Sequence, residues 1–278
     1  MLNPARLPAA IPAAIPAVVL AGQDPGRPDP LAAAEGKPHK ALIEIAGQPL
    51  IAHVVHALAA SPRVGEIAVV GLPPDVTDEQ LGFGCPVHRL PNRAGLLDNA
   101  QAGVDFCANL DGGSYVLVCS SDAPLLSAEA VTWFVDACRP LRRDIYWAIV
   151  ARAAVASVFP GARRTWLRTA DGRFCSADLF LVRAAAAHSA DGPLRAALAL
   201  RKLPPALVRL IGPGWVVRLL LGRAHVRQLL GRVQERFGIA ADVIALPFPG
   251  AAMDVDQPHH LALLRDYAAA HPEKLRPG

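Results

Sequence analysis

Apolar runs rich in β-branched residues alternate along this chain with stretches of helical pattern: AVVLAG at 17–22, a helix from about Pro49 to Ala60, EIAVVG at 66–71, a helix from about Leu96 to Ala108, and SYVLVCSSD at 114–122. That rhythm is the βαβ signature, and it restricts the chain to an α/β architecture, a mainly parallel sheet covered on both faces. Three later runs, DIYWAIV at 144–150, FCSADLFLV at 174–182 and DVIALPF at 242–248, read as further strands with longer excursions between them. In such sheets ligands sit beyond the carboxyl ends of the strands, so the loops after Leu20 and after Cys119 are expected to open onto one crevice.

Composition narrows the function. With 278 residues and 53% hydrophobic content, the chain can bury the core of one large domain. That domain is expected over 17–270, after an N-terminal arm, 1–16, in which Pro8, Pro12 and Pro16 break any continuous apolar helix. The balance of 28 Lys plus Arg against 24 Asp plus Glu fits a phosphate-bearing ligand and is too weak for a nucleic-acid partner. Five cysteines without a C-x-x-C pair give neither a disulfide framework nor a zinc site, and a reducing cytoplasm is the compartment they point to.

The loop after the first strand contains neither G-x-x-x-x-G-K-[ST] nor G-x-G-x-x-G, which disfavours a P-loop ATPase and a dinucleotide-dependent dehydrogenase. It holds Leu20, Ala21, Gly22, Gln23, a turn with Gly26 and Arg27, and then Lys40, from which an apolar helix-like run is expected to resume. Backbone N–H groups exposed by glycine can cradle anionic oxygens, and Arg27 and Lys40 would neutralise a polyphosphate; a plain surface loop with solvated charges is the competing reading. The second loop, SSDAPLLSAE, puts Asp122 at the carboxyl edge of a strand, where one carboxylate suits Mg²⁺. Asp often caps a turn or helix instead, but Ser127 is the better cap for the helix that follows. Near the C-terminus, MDVDQPHHL at 253–261 supplies Asp254 and Asp256, of which one is expected to face the crevice.

Taken together these residues resemble the MobA-like, sugar-phosphate nucleotidyltransferase superfamily. VVLAG with Arg27 and HKALIEIAGQPLI at 39–51 resembles the signature L-A-G-G…R…K-x-L-x-x-x-x-G-x-P-x-[IL]. VCSSDAPLL resembles its strand ending in D-x-P-[LF]-[LI], and MDVDQPHHL its late D-[IV]-[DN]-x-P-x-x-[LV]. RRTWLRTADGRFCSADLFLV at 163–182 resembles the stretch that leads into a Gly-Asn-containing strand. The resemblance implies a three-layer α/β/α sandwich, Rossmann-like with a mainly parallel mixed sheet of GT-A-like type. It implies a nucleoside triphosphate under the first loop, contacted by Leu20, Ala21, Gly22, Gln23, Lys40 and Asn99, with Arg27 and Lys40 stabilising its charge. Mg²⁺ held by Asp122 and one of Asp254 and Asp256 is implied as well, as is a phosphorylated small-molecule acceptor that attacks the α-phosphorus and releases pyrophosphate.

The departures from the pattern are as informative. Gln23 stands where the family has its second glycine, Asp178 stands at the acceptor-binding position in place of an amide, and the loop from Arg27 to Lys40 is long and carries Asp29 and Glu35. Two functions of different class follow: a working nucleotidyltransferase, and a degenerate member that binds nucleotide or a partner without turnover. A nucleotide-sugar-dependent glycosyltransferase would call for D-x-D where this chain has SSDAP. Finally, residues 192–236 mix Arg and Lys with leucines and hold one acid, Glu235. This block reads either as a helical excursion with arginines lying over apolar surface, or as a basic apolar surface for a membrane or lipid-linked acceptor.

Overall fold

The computed structural model describes residues 14–24, 26–93, 95–111, 114–187 and 212–275. In chain order the elements are β1 (Ile15–Leu20), α1 (Pro30–Ala34), β2 (Glu44–Ile45), β3 (Gln48–Pro49), α2 (Leu50–Ala59), β4 (Val64–Val70), α3 (Asp78–Leu81), β5 (His88–Leu90), α4 (Leu96–Asp111) and β6 (Tyr115–Ser120). They continue with α5 (Ala128–Ala137), β7 (Ile145–Ala151), α6 (Arg152–Val158), β8 (Leu167–Thr169), β9 (Gly172–Arg183), α7 (Ala184–Ala187), α8 (Pro213–Leu220), α9 (Val226–Phe237), β10 (Ala241–Leu246) and α10 (Pro258–Ala270).

Eight strands form one sheet in the order β10-β7-β9-β6-β1-β4-β5, with β8 paired to β9. The pairs β1–β4, β1–β6, β4–β5 and β7–β10 are parallel, whereas β9 runs antiparallel to both β6 and β7, so the sheet is mixed and mostly parallel. The two-residue period of the strands divides the core. Ala17, Val19, Ile67, Val69 and Leu117 pack on one face with α2, α5 and α10, while Val18, Ala68, Val70, Val116 and Val118 pack on the other with α4, α7 and α9. Because both faces of the sheet are covered there, the buried stretches Ala17–Val19, Ile67–Val70 and Tyr115–Cys119 are apolar without alternation. The result is an α/β/α arrangement.

Three local features differ from the sequence reading. β1 starts at Ile15, inside the segment expected to be an arm, and the β1–β4 register shifts between Ile15 and Ala17. Pro16 lies in that shift, where a residue without an N–H is tolerated. Residues 1–13 lie outside the described residues. The run after Lys40 is a short 3-10 turn, Lys40–Leu42, and then the β2–β3 hairpin, because Ala46 and Gly47 both adopt positive φ (52° and 78°) and close a two-residue turn. Of the basic block, 192–211 lies outside the described residues, and the remainder, through residue 236, holds α8, the turn after it and most of α9.

Candidate active site

The crevice forms at the carboxyl ends of β1, β4 and β6. Ala21 N–H donates to the Val70 carbonyl (2.9 Å) and Ser121 N–H donates to the Leu20 carbonyl (3.1 Å), so the loops after Leu20 and Cys119 leave the sheet side by side. Gly22, in the first of these loops, has close neighbours where its side chain would be. A Cβ at Gly22 would meet Asn99 Nδ2 at 2.0 Å, and a Cβ at Gly71, whose φ is +99°, would meet Gly22 Cα at 2.4 Å. Two glycines from β1 and β4 therefore let the backbones approach where no side chain fits.

Asn99, on α4 and 2% exposed, builds the next wall. Its Nδ2 donates to Asn92 Oδ1 (2.9 Å), its Oδ1 accepts from Arg93 N–H (2.7 Å), and Asn92 Nδ2 donates to the Gln23 carbonyl (2.6 Å). Asn99 thus pins the loop after β5 to the first loop. Between these loops lies a cavity of about 540 Å³ lined by Gln23, His39, Gly71, Leu72, Leu90 and Asn92 among others. That volume suits a small organic ligand. Gln23 Oε1 is buried there without a hydrogen-bond partner. His39 is buried, its Nδ1 accepting from Ala41 N–H (3.2 Å); burial pushes its pKa down, and the Ala21 carbonyl and Asp29 offset this only in part.

Lys40 follows His39 and reaches across the crevice. Its Nζ donates to Asp122 Oδ2 (2.5 Å) and to Asp256 Oδ1 (2.7 Å), joining three parts of the chain. Burial works against the ammonium charge, but the two carboxylates outweigh it and hold the Lys40 pKa above its ordinary value. Asp122 is itself buried and accepts from Ser120 Oγ, and its carbonyl accepts from Val255 N–H (2.9 Å), which ties the β6 turn to the late acidic segment. Ser127, not Asp122, caps α5, accepting from Ala130 N–H (3.1 Å).

The other candidates fall elsewhere. Asp254 does not join Asp122: its carboxylate is buried against Arg164, whose Nη1 also donates to the Asp254 carbonyl (2.9 Å). Arg27 stands exposed on the turn before α1, and the two acids of that loop serve the fold, Asp29 capping α1 and Glu35 pairing with Arg265 (2.6 Å). Asp178 lies in a bulge of β9, at φ 48°, with its Oδ1 accepting from Ser176 Oγ (2.7 Å). One residue beyond the Cys119–Leu179 pair, it sits on the strand beside Ser120, and the Cys119 thiol is pushed up by burial and then by both the Asp122 and Asp178 carboxylates. A non-glycine residue at positive φ is strain held in place by its surroundings, and such strain gathers at functional sites. Sequence reasoning missed His39, Asn92, Ser120, Arg164 and His260; apart from Ser120, which bonds Asp122 two residues on, they act through contacts between distant segments and have no spacing to announce them.

The MobA-like NTP transferase domain matches residues 17–214, well over half of the chain. The chain belongs to the MobA-like NTP transferase family. A hypothetical transferase from Thermus thermophilus is 31% identical, with 89% of this chain and 99% of that one covered at a TM-score of 0.75. The bifunctional protein GlmU of Geobacillus thermodenitrificans is 31% identical over 106 residues, 36% of this chain; the match spans 23% of that relative's length. CMP:2-keto-3-deoxy-manno-octonic acid synthetase complexed with CTP shares the fold, at 16% identity and a TM-score of 0.55 over 93% of this chain and 99% of that one.

The donor set of this MobA-like protein fits a hard divalent ion. Asp122 and Asp256 offer oxygen ligands and already enclose a cation, the Lys40 ammonium. Among the described residues no group of three or more His, Cys, Asp or Glu is placed to hold a metal. A two-carboxylate site of this kind suits Mg²⁺, which completes its shell with water and substrate phosphates, and it does not suit a structural metal.

Proposed function

We propose that this MobA-like NTP transferase moves a nucleoside monophosphate from a nucleoside triphosphate to a phosphorylated small-molecule acceptor. The observation that carries the reading is the Lys40 ammonium shared by Asp122 and Asp256 at the mouth of a glycine-lined crevice. In this reading an acceptor phosphate oxygen attacks the α-phosphorus and forms the new P–O bond. The bond from the α-phosphorus to the bridging oxygen breaks, and its electron pair leaves on pyrophosphate. Such transfers depend on positioning and on stabilising the charge that shifts to the leaving group, not on a strong base.

The residues divide the task. Gln23, Gly71 and Asn92 line the cavity for the base and ribose, while Gly22 and Asn99, packed behind them, fix where that wall stands. Lys40 and Arg27 orient the triphosphate and offset its charge. Asp178, beside Ser120, sets the acceptor side. Asp122 and Asp256 would hold Mg²⁺, which when bound supplies neutralising charge at the phosphate oxygens.

The test is pyrophosphate release, assayed with Mg²⁺, each of the four common triphosphates and a panel of phosphorylated acceptors. Release with at least one pair is expected, and Lys40→Ala should weaken triphosphate binding about tenfold or more, the worth of a charge-assisted hydrogen bond. If no pair releases pyrophosphate and no triphosphate at millimolar concentration raises the melting temperature, the reading fails.

A further inference from the structure

Helix α8 presents two apolar stripes, and only one is buried. Leu219 turns inward, where it packs with Leu167, Trp215, Val216 and Leu229. Val217, Leu220 and Leu221 face outward at 54%, 72% and 54% exposure. Their spacing of three and four residues places them together on one side of the helix. Arg218 and Arg223, next to these residues in the chain, are exposed, as is Arg227 at the start of α9. The guanidiniums of Arg218 and Arg232 lie over the Trp215 ring, 5.3 Å and 5.6 Å from its centroid. Residues 212–236 carry five arginines against one acid, Glu235, which pairs with Arg232 at 2.7 Å.

We infer that this face of α8 seats on an anionic lipid bilayer. Exposed leucines flanked by cations are suited to a surface with negative charge outside and hydrocarbon just beneath. A second copy of the chain fits poorly, since a two-fold interface sets each patch against itself and brings arginine to arginine. Among the described residues no helix is long and apolar enough to cross a membrane, and the inferred attachment is of a helix face lying on the bilayer surface. The position also matters. α8 packs near β8, which pairs with the Gly172–Phe174 end of β9, and Phe174 in turn pairs with Ala151 at the carboxyl end of β7. The patch therefore lies at the crevice end of the sheet, and docking keeps the crevice near the lipid surface.

The test is sedimentation of the full chain with vesicles of phosphatidylcholine alone or with about one-third phosphatidylserine. Binding to the anionic vesicles at low salt is expected, with loss as NaCl rises toward about 0.5 M and no binding to phosphatidylcholine alone. Arg218→Gln and Arg223→Gln should each cut partitioning about fivefold. The double variant Leu220→Ser with Leu221→Ser should reduce it further while its circular dichroism and melting temperature stay unchanged. Absence of wild-type binding to anionic vesicles overturns the inference. So does binding that ignores the leucine substitutions, which would mark a general charge effect, or a concentration-dependent dimer that those substitutions abolish.

Discussion

Asp254 is buried against Arg164, whereas Asp256, two residues on, meets Lys40 with its side chain 49% exposed. In a regular strand residues two apart share a face. Here they part because the segment follows a 3-10 turn, Pro249–Ala252, and has no strand partner of its own, while Val255 N–H is held by the Asp122 carbonyl. The sequence pattern marked both acids, but the contact that separates them, with an arginine 90 positions earlier, was not legible in it. The two substitutions should consequently behave in opposite ways. Asp254→Ala leaves a buried guanidinium unpaired and should cost about 3–5 kcal/mol, or roughly 10 °C of melting temperature. Asp256→Ala removes a half-exposed partner and should cost at most about 1 kcal/mol. Mn²⁺ titration in the presence of triphosphate should show the reverse, with affinity lost in Asp256→Ala and retained, well below its melting point, in Asp254→Ala. An Asp254 variant of normal stability that no longer takes up Mn²⁺ would reverse the assignment of the two acids.

At the scale of elements, the β1–α2–β4–α4–β6 half was readable because continuous apolar runs alternate there with helical patterns, and just beyond it Ser127 marks the start of α5. The β2–β3 hairpin was not: each strand is two residues long, too short for a period, and its turn sets Ala46 at a positive φ that Ala does not advertise. Nor does any local signal state that β9 runs antiparallel between β6 and β7. Helix α4 shows how closely the readable elements are fitted. A Cβ at Gly103 would meet Val18 Cγ1 at 2.4 Å, so a glycine inside the helix sets the spacing to β1. Gly103→Ala should gain about 1 kcal/mol in helix propensity and lose about 1–3 kcal/mol to overpacking, for a net loss. In a Val18→Ala background the 2.4 Å approach is gone and a tight 3.0 Å contact with Val70 Cγ2 remains, so the same substitution should cost clearly less than in the wild-type background. Denaturant melts of the four proteins in the cycle decide it, and an equal loss in both backgrounds would show that Val18 is not the obstacle.

At the scale of the whole molecule, three buried histidines among the described residues bind segments to one another, and their titration reports on the fold as a unit. His39 precedes Lys40 and lies by the Ala21 carbonyl, His53 on α2 bonds the Ile45 carbonyl (3.0 Å), and His260 on α10 bonds the Arg163 carbonyl (2.8 Å) and accepts from Asp256 N–H (3.3 Å). In all three burial is the leading cause of a pKa below the ordinary value, and the nearby carbonyls restore only part of it. The family motifs told where Lys40 and Asp256 would lie, yet His39 and His260 beside them carried no readable role, because burial belongs to the assembled sheet and not to the local pattern. Unfolded, each histidine titrates near about 6.5, so just below that pH the unfolded chain binds more protons than the folded one. Stability from these sites is therefore complete above about pH 6.5 and is lost as pH falls from there toward the lowered folded values. Urea melts between pH 7.5 and 5.5 should accordingly show the unfolding free energy falling with pH in a range where carboxylates contribute little. His53→Phe, which removes one titrating group from the core, should flatten that slope even if it also lowers stability overall. A free energy that is level or rising as pH falls through this window would show that the three imidazoles are not held neutral by the fold.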